Sequence, residues 1–147
     1  MATVVPETAT TPPVEQSSGS PTRIVPARVD GKPVWLECPE WCVLDHVAQN
    51  DRFLDDVYHS GHMVDLEAPR FNGDPVLLAF IRLGLDPFGS QPELRLPFLV
   101  LEEGAGSGDG MYMRPEQAEE FADRLVAFAE QVRMLARTIG EPGAVSA

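Results

Sequence analysis

Every cysteine and histidine of the chain falls in one 25-residue window: Cys38, Cys42, His46, His59 and His62. Random placement would give such a grouping roughly once in a few hundred sequences, so it points to one shared site of the Cys/His metal type. Thiolates and neutral imidazoles suit zinc, whereas calcium and magnesium prefer oxygen donors. Zinc is therefore the expected cofactor. Two thiolates and two imidazoles would complete a tetrahedron, and a site closed in this way is structural, because zinc catalysis needs an open coordination position.

The spacing constrains what must hold these side chains. A single helix through Cys38, Cys42 and His46 would separate the outer pair by about 12 Å along its axis, too far for one ion. Proline favours the first position of a helix, so Pro39 makes Cys38 the extended residue just before a short helix, with Cys42 and His46 on one helical face. The fourth donor comes from a hairpin over Asp56 to Leu66 that turns at Ser60-Gly61. There His59 and His62 face one another, and either one completes the set. Asp45 and Asp56 are candidate acceptors for the imidazole N–H groups. Two readings need no metal: buried cysteines beside surface histidines, or a disulfide between Cys38 and Cys42.

The remaining elements follow from periodicity. From Pro115 to Ile139, apolar residues recur at three-four spacing through Phe121, Leu125, Phe128, Val132, Leu135 and Ile139, the pattern of one helical face, which reads as core. Glu116, Glu119 and Glu120 suit its N-terminus, Arg133 and Arg137 its C-terminus, and Gly140 with Pro142 stops it. Val34 to Glu37, Val76 to Leu83, Leu94 to Leu101 and Met111 to Met113 read as strands. The fold class is then α+β: a small, mainly antiparallel sheet with a short Cys/His-bearing helix and one long C-terminal helix packed on the sheet. The glycine-rich stretch Gly104 to Gly110 reads as a hairpin connection. Its acidic residues would repel a phosphate, and it seats no helix N-terminus.

Composition bounds the rest. The 147 residues carry 11 basic and 23 acidic side chains, a net charge of -12. Residues 1–22 are rich in Pro, Thr and Ser and read as a disordered tail, as do 141–147, leaving one domain over 23–140. Removing the acidic Glu7, Glu15 and Glu141 with the tails still leaves that domain at -9. Such a field opposes generic binding to nucleic acid or anionic membrane. There is no signal-like N-terminus and no apolar run long enough for a span. Two cysteines cannot staple a secreted scaffold. The expectation is a cytoplasmic protein.

The run Cys38-Pro39-Glu40-Trp41-Cys42, then Asp45-His46, His59-Ser60-Gly61 and a helix opening at Arg114-Pro115-Glu116, resembles a family of small actinobacterial proteins whose domain has no assigned function. The resemblance covers roughly residues 30 to 138 and is loose between Asp74 and Gly110. It carries across Cys38, Cys42, His46, His59 and Gly61, and it favours His59 over His62 as the fourth ligand, making the expected metal set Cys38, Cys42, His46 and His59, since His62 lies outside the family's pattern. It imports no activity.

The function expected is a non-enzymatic, zinc-stabilised module that binds or regulates another protein, with Trp35 and Trp41 as possible anchors. Two alternatives compete. Leu44-Asp45-His46-Val47 is faintly similar to the metal-ligating element of His-metal nucleases, in which Asp45 would hold a divalent ion and His46 would act as general base. A DNA-binding regulator would need a basic face, for which Arg23, Arg28 and Lys32 are the only local cluster.

Overall fold

The computed structural model describes residues 20–106 and 108–140. The expected N-terminal tail up to residue 19 and the tail at 141–147 lie outside them. Thr22 already belongs to a strand. β1 (Thr22–Val29) and β2 (Lys32–Pro39) form a two-stranded antiparallel hairpin in continuous register from Thr22 opposite Pro39 to Val29 opposite Lys32. Its turn is Asp30-Gly31, with φ of 51° and 73°, the positive pair that a tight two-residue hairpin loop demands.

Alternation along these strands decides which side chains turn inward. Val25, Ala27 and Val29 of β1 share a face with Val34, Leu36 and Cys38 of β2. Ala27, Leu36 and Val57 form a small buried core, with Val25, Val29 and Val34 packed against it. Cys38 is thus the last inward position of a buried face. Trp35 points the other way and is exposed.

After β2 come a four-residue helix, α1 (His46–Gln49), and a single 3-10 turn at Leu54–Asp56. The main sheet then runs β3 (His59–Ser60) and β4 (Val64–Ala68) along β5 (Val76–Leu85), followed by β6 (Phe98–Glu103) and β7 (Met111–Met113), all antiparallel. The expected hairpin over Asp56 to Leu66 does not form. His59 pairs with Leu85, Val64 with Ile81, and the Gly61 amide donates to the Leu83 carbonyl at 3.0 Å. β3 and β4 are therefore two pieces of one interrupted edge strand. Gly61 serves a close approach instead of a turn: a Cβ there would stand 3.2 Å from Leu83 Cβ.

The expected strand at Leu94 to Leu101 begins later, because Pro92–Arg95 closes a 3-10 turn and Pro97 has no amide to give the ladder. Val100 is fully buried and Phe98 nearly so. On the opposite face, Val64, Ile81, Leu83, Leu99, Leu101 and Met113 line up across the sheet.

α2 (Pro115–Gly140) is about 39 Å long and packs against β6 and β7. The α+β architecture is as the periodicities predict, but α2 is not the core element its apolar stripe suggests. Ala118, Phe121 and Ala129 are half-buried, and every other residue of the helix is exposed. Its first turns sit on the sheet and the rest projects beyond. No helix among the described residues is long and apolar enough to cross a membrane.

Candidate metal centre

Four stretches of chain bring four donors together. Cys38 comes from the end of β2, Cys42 from the turn that follows, His46 from the start of α1 and His59 from β3. Pro39 ends a strand and does not begin a helix: it pairs with Thr22, and its carbonyl accepts from the Cys42 amide at 3.0 Å across a tight turn. The expectation that Cys42 and His46 share a helical face is thus corrected. α1 begins only at His46 because Asp45 caps it, its Oδ1 accepting from the amides of Val47 at 3.0 Å and Ala48 at 3.1 Å.

The ligand atoms of Cys38, Cys42, His46 and His59 all lie within 4.8 Å of one another, and all four residues are buried. His46 Nε2 stands 3.7 Å from Cys38 Sγ and 3.6 Å from Cys42 Sγ. Around a tetrahedral zinc, with bonds of about 2.3 Å to sulfur and about 2.0 Å to nitrogen, sulfur and nitrogen are separated by about 3.6 Å. The His46 and His59 rings meet edge to face, with centroids 4.9 Å apart. Both thiols are free, with no disulfide between them. His62 does not join the group: it is exposed and lines an apolar groove with Trp41, Gly61 and Leu83.

Burial sets the protonation of this cluster. It pushes the Cys38 thiol up to about 11, reinforced by the neighbouring Cys42 and opposed by Arg23. It also lowers His59 to about 4, with the charge of His46 acting in the same direction. His46 is lowered by burial as well, against Asp51, Gln49 and Asp45, which favour its charged form. Both rings are accordingly neutral at pH 7, each with a lone pair to donate. An ion binding here would have to displace protons from sulfur.

The acidic residues expected to steady the imidazoles are used elsewhere. Asp45 caps α1, and Asp56 Oδ2 accepts from the Phe53 amide at 3.2 Å. His46 Nδ1 and His59 Nδ1 are buried without a hydrogen-bond partner, and so is Gln49 Oε1. Nε2 of His46 faces the sulfurs, which leaves Nδ1 as the ring nitrogen open to a partner such as Gln49, three residues along the chain. Asp45 is likewise not free for the nuclease alternative, and His46 faces thiols where that chemistry needs water.

Two arginines at the site had no distinct signal in the sequence. Arg23, paired opposite Cys38, donates from Nη2 to the Cys42 carbonyl at 3.5 Å, so a cation overlooks the two sulfurs. Arg82 donates from Nη1 to Ser60 Oγ at 3.2 Å and pairs through Nη2 with Glu102 Oε1 at 2.8 Å, anchoring the strand that carries His59.

The match with known proteins agrees with this picture in extent and leaves the activity open. The model of a family described as a domain of unknown function, DUF6907, matches residues 21–141. No curated protein and no solved structure matches the chain. The match begins one residue before β1 and ends one residue after α2, taking in all four donors, and the chain therefore belongs to the DUF6907 family.

Proposed function

We propose that this domain is a non-catalytic protein-interaction module whose shape depends on one structural zinc held by Cys38, Cys42, His46 and His59. The observation that carries the reading is the convergence of two sulfurs and two imidazoles, all buried, with sulfur–nitrogen separations of 3.6 and 3.7 Å. Four protein donors leave no position for water or substrate, which separates a structural zinc from a catalytic one. The ion would clip the β1–β2 hairpin to the edge of the main sheet, which are separate sheets. Gln49 Oε1 would accept from His46 Nδ1–H once Nε2 is ligated, pairing two atoms that are otherwise orphaned in the interior.

The interaction half of the reading rests on exposed apolar surface. Trp35 is 74 % exposed on the outer face of the hairpin, and Trp41 borders the groove beside His62 and Leu83. Large aromatic side chains at such positions are typical anchors for another protein. The net charge of -12 disfavours nucleic acid as the partner. Free thiols fit a reducing compartment, and we assign the protein to the cytoplasm.

Cobalt substitution tests the metal reading. The refolded Co(II) form should show the intense visible bands of a four-coordinate site together with thiolate charge transfer. The weak spectrum of six-coordinate cobalt would refute it. For the interaction half, a protein retained by the immobilised chain and released by Trp35→Ala is the supporting result.

A further inference from the structure

We infer that the cavity between the Asp55–His59 stretch and the main sheet is a binding site for an arginine side chain presented by a partner protein. It goes beyond the reading above, because neither Trp35 nor Trp41 lines it and it does not depend on which ion is bound. The cavity measures about 260 Å³. Arg82, Asp86, Phe98 and Tyr112 line it together with that stretch. A space this small does not enclose a cofactor or a drug-sized ligand, but it suits one long side chain.

Charge selects a cation. The lining carries three carboxylates, Asp55, Asp56 and Asp86, and one guanidinium, that of Arg82. The guanidinium is already engaged, through Nη2 with Glu102 and through Nη1 with Ser60. Asp56 accepts from the Phe53 amide. Asp86 differs from both: it is half-buried, and among the described residues it has no salt bridge and no side-chain hydrogen bond. Burial pushes its carboxyl above the ordinary carboxylate value, with only Arg82 opposing. An arriving cation would supply the donors this carboxylate lacks. The chain's net charge of -12 draws basic partners from a distance.

The rings select arginine. Tyr112 packs on Phe98 with centroids 5.3 Å apart and is still 54 % exposed, and Tyr58 in the same lining is 38 % exposed. A planar guanidinium stacks on such faces while its forked donors meet a carboxylate, whereas an ammonium is compact and strongly hydrated. His59 lines the same space, 1 % exposed and with Nδ1 unpartnered, a buried polar atom of the kind that a ligand or its water completes. The chain's own ends cannot fill the cavity with a basic side chain, because residues 1–19 and 141–147 contain no Lys or Arg. Asp55 and Asp86 also line an adjoining cavity of about 230 Å³ with Gly89, Gln91 and Leu94. The chain next to the arginine has a place to lie there, which favours a protein segment over a free guanidine.

The test is an NMR titration of the full, metal-loaded chain with an acetylated, amidated pentapeptide that holds one arginine between alanines. The amide signals of Tyr58, Asp86 and Tyr112 should move together and saturate at about millimolar concentration, the range expected of a single anchored side chain. A citrulline peptide, equal in shape but uncharged, should bind about tenfold or more weakly, and so should the arginine peptide to Asp86→Asn and to Asp55→Asn. Asp55 is exposed, so metal content and the rest of the spectrum should stay unchanged in its variant. Tyr112→Leu should weaken binding about threefold or more. Absence of saturation, equal binding of the citrulline peptide, or full affinity in both aspartate variants would overturn the site. Equal binding of the lysine peptide would overturn the choice of arginine. Agmatine binding as tightly as the peptide would overturn the protein partner. Neither Trp35 nor any metal ligand is altered, so failure here is distinguishable from failure of the zinc reading or of the Trp35 interface.

Discussion

The amide of Val43 donates to the carbonyl of Ser60 at 2.9 Å, so the residue after the second cysteine is fastened to the residue after His59. This one hydrogen bond joins the hairpin side of the candidate centre to the main sheet. An ion held by the four donors would tie the same two pieces of chain together, which makes the connection the natural place to look for metal-dependent stability.

Removing both sulfurs should expose that dependence. Cys38→Ser combined with Cys42→Ser should abolish metal retention and lower the Tm by at least about 10 °C, corresponding to a loss of ~3 to 5 kcal/mol. Thermal unfolding of the wild type with and without a strong chelator should show a drop of similar size. In the double variant the chelator should have no further effect.

The second prediction concerns acid. A buried histidine with a depressed pKa contributes stability that is fully present above its unfolded value near 6.5 and is lost as pH falls towards the folded value, about 4 for His59. His46 is depressed by burial and acts in the same direction. Stability should therefore fall between pH 6.5 and 4, by about 3 kcal/mol from His59 alone. Metal should be released over the same window, because protons compete for both rings. Urea unfolding at stepped pH, with metal content measured at each step, checks both.

Gln49 gives a narrower test. If its side-chain oxygen receives the Nδ1–H of a ligated His46, Gln49→Ala should weaken metal binding by about tenfold or more and leave the fold in place. Competition against a chromophoric chelator measures the difference directly. Equal affinity in the two proteins would remove Gln49 from the centre.

Asp45 separates capping from metal chemistry. Asp45→Ala should cost about 1 kcal/mol through loss of the α1 cap, whereas Asp45→Asn, which can still cap, should cost only a few tenths. Metal content should stay the same in both. A requirement for the carboxylate charge would instead favour Asp45 as a ligand, as in the nuclease alternative.

The donor set was legible in the sequence because clustering of rare residue types needs no knowledge of the fold. Its geometry was not. Pro39 fits the start of a helix and the end of a strand equally well, and only the pairing of Thr22 with Pro39 decides between them. β1 was hidden by Pro21 and Pro26, which interrupt the strand pattern, so the segment from residue 23 reads as part of the domain but not as a strand. The Asp30-Gly31 pair that closes its hairpin was the readable signal. Ser60-Gly61 has turn composition, yet Gly61 is needed for a close approach to Leu83. The C-terminal helix was readable almost to the residue. What periodicity could not reveal is that its apolar stripe is mostly uncovered, because a three-four spacing looks the same whether or not the chain covers it.

The most direct test of the central claim is the metal content of the purified full-length chain, determined by mass spectrometry of the elements after exhaustive buffer exchange. The account predicts about one zinc per chain, retained at neutral pH. A protein that holds no metal and yet unfolds at the same temperature as its Cys38→Ser/Cys42→Ser variant would contradict it.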